Sequence, residues 1–158
     1  MQLPKHILVA TDFSATSREA VEAAAAFAQA SKGKVTLVHV FDPAPMVPPA
    51  AIPAPRRMEA QIEKEMASKI HAELEAVRAG PLSDVPDVSI AVLKHPNPAH
   101  ALCERAAEDG ADLVIVGTHG RTGLSHLLIG SVAERVVRYA PCPVLAVRPT
   151  DGGRAPVA

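Results

Sequence analysis

The stretch VGTHGRTGLSHLLIGSVAERV, residues 116–136, carries four glycines, two histidines, two arginines and a single acid, Glu134. Glycines at Gly117 and Gly120 allow tight turning and let backbone approach a ligand without a Cβ in the way. Gly130-Ser131 stands directly before a helical pattern. A helix N-terminus offers free N–H groups and partial positive charge, a natural anion site, and the Ser131 hydroxyl can add a bond or cap the helix. The chemistry suggested is phosphate binding; a flexible surface loop is the alternative reading of the same glycines.

A second chemical feature lies near the other end of the chain. Asp12 follows the apolar run of ILVATDFS, after Ala10 and Thr11. A carboxylate there can accept hydrogen bonds from ribose hydroxyls. It can also simply cap the next helix, as Asp commonly does, although Ser14 and Thr16 are competing caps. Known phosphate fingerprints are missing: no lysine follows the glycines as in G-x-x-x-x-G-K-[ST], and no G-x-G-x-x-G follows the first apolar run.

These groups need elements to hold them. Short runs rich in β-branched residues read as strands at Ile7–Ala10, Val35–Val40, Val88–Leu93, Leu113–Val116 and Val144–Val147. Helical patterns separate them. The first is expected from near Thr16 to about Ala30, with a Thr16–Glu19 capping box and Gly33 as its stop. The second runs from about Arg57 to Arg78, with Met58, Ile62, Met66, Ile70, Leu74 and Val77 at helical spacing. The third takes Asn97 as cap and Pro98 as first residue and stops at Gly110. The fourth runs from near Ser131 to about Tyr139.

Strands alternating with helices predict an α/β fold, a doubly wound five-stranded parallel sheet. Ligands bind such sheets beyond the carboxyl ends of the strands, at the point where strand order reverses. Asp12 and the glycine stretch both follow strands.

Bulk properties agree. The 158 residues suit one domain, residues 1–150, with 151–158 as a flexible tail and the proline-rich 42–57 as a surface loop. Apolar residues make up 48% and aromatics 3%, so the core is built from Ala, Val, Leu and Ile. A net charge of −1 disfavours a nucleic-acid partner. No apolar run is long enough for a membrane span or a signal peptide, so a cytoplasmic protein is expected. Cys103 and Cys142 read as buried free thiols. No catalytic residue and no protein-borne metal ligand set is singled out.

Gly117-x-x-Gly120, nine residues, then Gly130-Ser131 resembles the G-x2-G-x9-G-[ST] signature of ATP-binding universal stress proteins. ILVATDFS and DLVIVGTHGRTGLSHLLIGSVAERVVRYAPCPVLAV resemble that family too, over residues 4 to 148. The resemblance implies a Rossmann-like, adenine nucleotide alpha hydrolase-like sheet of order 3-2-1-4-5. It implies ATP, or another adenine nucleotide, with Ala10, Thr11 and Asp12 at the adenosine and Val40 against adenine. Without the family, Val40 reads as core and His119 as a solvated loop residue. Val116 and Gly117 would border the ribose. His119, Gly120, Gly130, Ser131 and Val132 would surround the phosphates, with Arg121 screening their charge. Mg²⁺ or Mn²⁺ would bind through phosphate oxygens. A homodimer through Val144–Val147 and a regulatory protein partner are further implications.

One departure stands out: His95 occupies a position before the third helix where family members often carry glycine, which bears on the shape of the crevice wall. A nucleotide-dependent regulatory module is the expected function. Slow ATP hydrolysis and a nucleotide-independent dimeric interaction protein are the alternatives.

Overall fold

The structure is a computed structural model that describes residues 3–42, 56–118 and 129–149. Its elements alternate along the chain: β1 (His6–Ala10), α1 (Ala15–Ser31), β2 (Lys34–Phe41), α2 (Arg56–Ala79), β3 (Val88–Lys94), α3 (Pro98–Asp109), β4 (Leu113–Gly117), α4 (Ser131–Tyr139) and β5 (Val144–Val147). The five strands form one sheet of order β3-β2-β1-β4-β5, and every pairing is parallel. The expected fold class and strand order are therefore both observed.

Side chains alternate across the sheet, and this separates two cores. Ile7, Val9, Val35, Leu37 and Ile115 pack with Ala20, Val21, Ala24 and Ala28 of α1 and Leu74 of α2. Leu8, Val38, Val114 and Val116 pack on the other face with Leu102 and Ala106 of α3 and Ala133 and Val136 of α4. Strands covered on both faces must be apolar throughout, which is why β1 and β4 show no polar alternation.

Several boundaries differ from expectation. Helix α1 begins at Ala15, and its N-cap is Ser14, whose side chain accepts from the Ser17 amide at 3.2 Å. Thr16 is buried within the first turn, so the Thr16–Glu19 capping box is not formed. The left-handed residue that ends α1 is Lys32 (φ 52°, ψ 42°), not Gly33. Gly33 serves packing instead: a Cβ there would stand 2.9 Å from the carbonyl oxygens of Pro4 and Lys5. Helix α2 starts at Arg56, so residues 56 and 57 belong to it; the rest of the proline-rich segment, 43–55, and the tail from 150 lie outside the described residues. Along α2, Leu74 is buried and Ile70 and Val77 pack against the core, while Met58 is exposed.

The end of the sheet opposite the glycine stretch is fastened by Asp112. Its carboxylate accepts from the backbone amides of Lys5 and His6, at 2.8 and 2.9 Å, joining the starts of β1 and β4. Among the described residues no helix is long and apolar enough to cross a membrane.

Candidate functional site

Strand order reverses between β1 and β4: β1 leads on to β2 on one side, and β4 lies on the other. At their carboxyl ends is a cavity of about 240 Å³. Its lining contains Ala10, Thr11, Asp12, Val40, Val116, Gly117, Gly130, Ser131 and Val132, so one crevice collects residues expected from three separate stretches. His119, Gly120 and Arg121 lie outside the described residues.

The floor is set by the turn after β1. The Thr11 amide donates to Val38 O at 2.9 Å, which extends the sheet one residue beyond β1. His39 Nδ1–H donates to Thr11 O at 2.7 Å, and the His39 ring stacks on Phe13 with centroids 4.7 Å apart. Phe13 has φ 65°, a left-handed conformation that a bulky residue adopts only when its surroundings hold it there. Thr11 Oγ1 accepts from the Phe13 amide and lies 3.1 Å from Ser17 Oγ.

Asp12 Oδ1 accepts from both the amide and the hydroxyl of Ser14, at 3.0 and 2.5 Å. Asp12 thus orders the turn while lining the cavity, and the capping itself falls to Ser14.

Across the cavity, helix α4 begins. Its N-cap is Gly130, with no side-chain cap, so Ser131 is the first helical residue and not the cap. The first intrahelical amide donor is Glu134, bonding to Gly130 O at 2.9 Å; the amides of Ser131, Val132 and Ala133 precede it at the cavity. Both ends of the glycine stretch are fixed, because the Gly130 amide donates to Thr118 O at 2.7 Å and the Thr118 amide to Val147 O at 2.8 Å.

Gly117 has a reason beyond ligand access. A Cβ there would stand 3.0 Å from Thr16 Cγ2 and 3.3 Å from the Ser17 amide nitrogen, so β4 ends hard against the first turn of α1.

The sequence reading missed Ser17, Val38, Pro98, Leu102, Thr118 and Ala133 as lining residues. Pro98 and Leu102, four apart on α3, form the wall that His95 was expected to influence. The His95 side chain is not part of that wall: its Nδ1 accepts from the Asn97 amide at 2.8 Å, and its ring lies against His100. Asp12 is the single ionisable side chain among the described lining residues. Cys103 and Cys142 are free and half-buried rather than fully buried, and burial raises both thiol pKa values.

A doubly wound parallel sheet with a crevice at its switch point defines a Rossmann-like α/β protein. Residues 4–148 match the universal stress protein family, and the chain belongs to that family. It is 36% identical over 145 residues to a Thermus aquaticus protein named "Universal stress protein in QAH/OAS sulfhydrylase 3'region", covering 91% of this chain and 98% of the relative. The solved structure of MJ0577, a universal stress protein of Methanocaldococcus jannaschii, superposes with a TM-score of 0.81 at 28% identity, over 95% of this chain and 99% of that one. A universal stress protein solved in complex with cAMP superposes with a TM-score of 0.69 at 26% identity, over 93% of this chain and 98% of that one.

Proposed function

We propose that this chain binds ATP or another adenine nucleotide in the crevice between β1 and β4, and that the bound nucleotide sets its state as a regulatory module of the stress response. The observation that carries this reading is that Asp12 and the N-terminus of α4 line the same cavity. A carboxylate suits ribose hydroxyls and repels phosphate. The amides of Ser131 and Val132, at the positive end of a helix, suit the oxygens of a phosphate. The two ends of the crevice thus match the two ends of a nucleotide. Val40, Val38 and Leu102 supply apolar surface for the base. The relative solved with cAMP supports an adenine nucleotide as the ligand class.

In this reading His119, Gly120 and Arg121 complete the phosphate side, and Mg²⁺ or Mn²⁺ joins through phosphate oxygens. Binding is the function and any hydrolysis is slow: hydrolysis requires a positioned water and stabilisation of the transferred phosphate, and Asp12, the single ionisable side chain among the described lining residues, is engaged at the ribose in this reading. The protein works in the cytoplasm as a homodimer through Val144–Val147, with a regulatory protein as partner. β5 is an outer strand of the sheet, and an apolar edge favours pairing with a second chain.

Calorimetric titration with ATP, ADP, AMP and cAMP tests the nucleotide reading. At least one binds with a dissociation constant below about 1 mM, near −4 kcal/mol. Binding by none of them leaves the nucleotide-independent interaction protein. Size-exclusion mass measurement tests the dimer, and a monomer alone at micromolar concentration rejects it.

A further inference from the structure

We propose that His95, His100 and Glu104 form a binding site for a borderline divalent transition-metal ion, of which Zn²⁺ is the type, on the outer face of α3. One ligand atom from each of the three lies within 4.8 Å of the other two. His100 Nε2 and Glu104 Oε1 are 3.1 Å apart, and the His95 and His100 ring centroids are 5.1 Å apart. Zinc bonds of about 2.0–2.1 Å put tetrahedral ligand atoms about 3.4 Å from one another. The His100–Glu104 pair, at 3.1 Å, stands close to that spacing, and His95 closes the set with a modest ring movement.

The local fold explains the convergence. His100 and Glu104 are four residues apart on α3 and share a face. His95 precedes the helix, and the Asn97 cap followed by Pro98 turns the chain so that its ring meets His100.

A metal-bound imidazole is held through its second ring nitrogen, and His95 Nδ1 has a backbone carbonyl within reach. Coordination through Nε2 keeps the proton on Nδ1, which then donates to a nearby carbonyl. The Asn97 carbonyl oxygen is 2.9 Å from His95 Nδ1, and the Asn97 amide is 2.8 Å from the same atom. Without metal the ring accepts from the amide. Coordination through Nε2 requires the other tautomer, in which Nδ1–H gives up the Asn97 amide and donates to the Asn97 carbonyl oxygen.

Two imidazoles and one carboxylate suit zinc and its neighbours better than Mg²⁺ or Ca²⁺, which prefer all-oxygen sets. His100 and Glu104 are more than half exposed, at 54% and 58%, so a metal reaches them from solvent and an open coordination position faces outward. The site is separate from any ion on nucleotide phosphates, because α3 presents Pro98 and Leu102 to the crevice, and His100, two residues from each, lies about 200° around the helix.

The test is titration of the full chain with Zn²⁺ in the absence of nucleotide, with Co²⁺ as a spectroscopic probe of the same set. Wild type binds Zn²⁺, and Co²⁺ develops visible d–d bands of a low-coordinate nitrogen–oxygen site. His95→Gly, His100→Ala and Glu104→Ala each lower Zn²⁺ affinity by about tenfold or more. His71→Ala, which removes another exposed i, i+4 His–Glu pair, leaves it unchanged. Circular dichroism confirms that the variants are folded. Absence of Zn²⁺ binding by wild type overturns the proposal, as does undiminished affinity in the His95 and His100 variants or a loss seen only in His119→Ala or His126→Ala. None of these outcomes depends on whether the crevice binds a nucleotide.

Discussion

The amide of Gly130 donates to the carbonyl oxygen of Thr118 at 2.7 Å, so the chain leaves the sheet after β4 and returns within one hydrogen bond of its point of departure. That bond sets the start of α4 beside the end of β4, where the amides of its first turn meet the crevice. Gly130 itself has φ −63° and ψ 150°, extended backbone that any residue adopts. Its lack of a side chain is therefore a matter of what approaches it.

Gly130→Val should therefore lose the ligand while α4 still forms from a weaker cap. The weaker N-cap should lower its stability by about 1 kcal/mol, while affinity for the best-binding adenine nucleotide falls by about tenfold or more, about 1.4 kcal/mol. Titration and a melting curve on the same preparation check both halves. Unchanged affinity would falsify the placement of phosphate at α4.

Gly117 makes the opposite prediction. Its missing Cβ leaves room for Thr16 Cγ2 and the Ser17 amide, at 3.0 and 3.3 Å from where that atom would sit. Two of the close atoms, Ser17 N and Thr16 C, are helix backbone that cannot turn aside, so Gly117→Ala should overpack this contact at a cost of about 1–3 kcal/mol. Thr16→Ser removes the methyl group at 3.0 Å, so the double variant recovers part of the loss. Urea denaturation of the two single variants and the double variant measures the coupling, and strict additivity would contradict the steric account.

The contrast between these glycines marks how far the sequence could be read. Strand positions, helix positions and the crevice were legible because buried parallel strands and amphipathic helices leave a periodic apolar trace, and Asp12 and Gly130-Ser131 each follow or precede such a trace. Packing across the fold left no trace of that kind. Nothing near Gly117 in sequence reveals that Thr16 lies against it, and nothing near Gly33 reveals the carbonyls of Pro4 and Lys5. Pro98 reads only as a helix start and Leu102 draws no notice, because their view into the crevice depends on how α3 sits on the sheet. The meeting of His95 with His100 and Glu104 was hidden for a related reason: the three straddle a helix boundary, where helical spacing does not apply to the first of them.

Ser14 joins the fold to the site. It caps α1 through the Ser17 amide and donates its hydroxyl to Asp12. Ser14→Ala removes both bonds and should cost about 1 kcal/mol of stability. Ser14→Asn keeps an acceptor for the cap and a donor for Asp12, and should lie near wild type. Urea midpoints decide between them; equal loss in the two variants would mean that the hydroxyl's geometry, rather than capping, governs the turn.

Asp112 provides a test through pH. The amides of His6 and then Lys5 donate to its carboxylate and hold its pKa below the usual range, with the charge of His6 a smaller contribution in the same direction. The unfolded carboxyl takes up its proton near about pH 3.9, before the folded one does. The stabilisation is therefore fully present above that pH and is lost as pH falls through the depressed folded value. Asp112→Asn cannot carry the charge, so it should be less stable than wild type at pH 7, and the gap should narrow as pH drops below about 4. Urea midpoints of both proteins between pH 7 and pH 2 give the comparison. A gap that stays constant across that range would show that the β1–β4 clasp depends on shape and not on the ionised carboxylate.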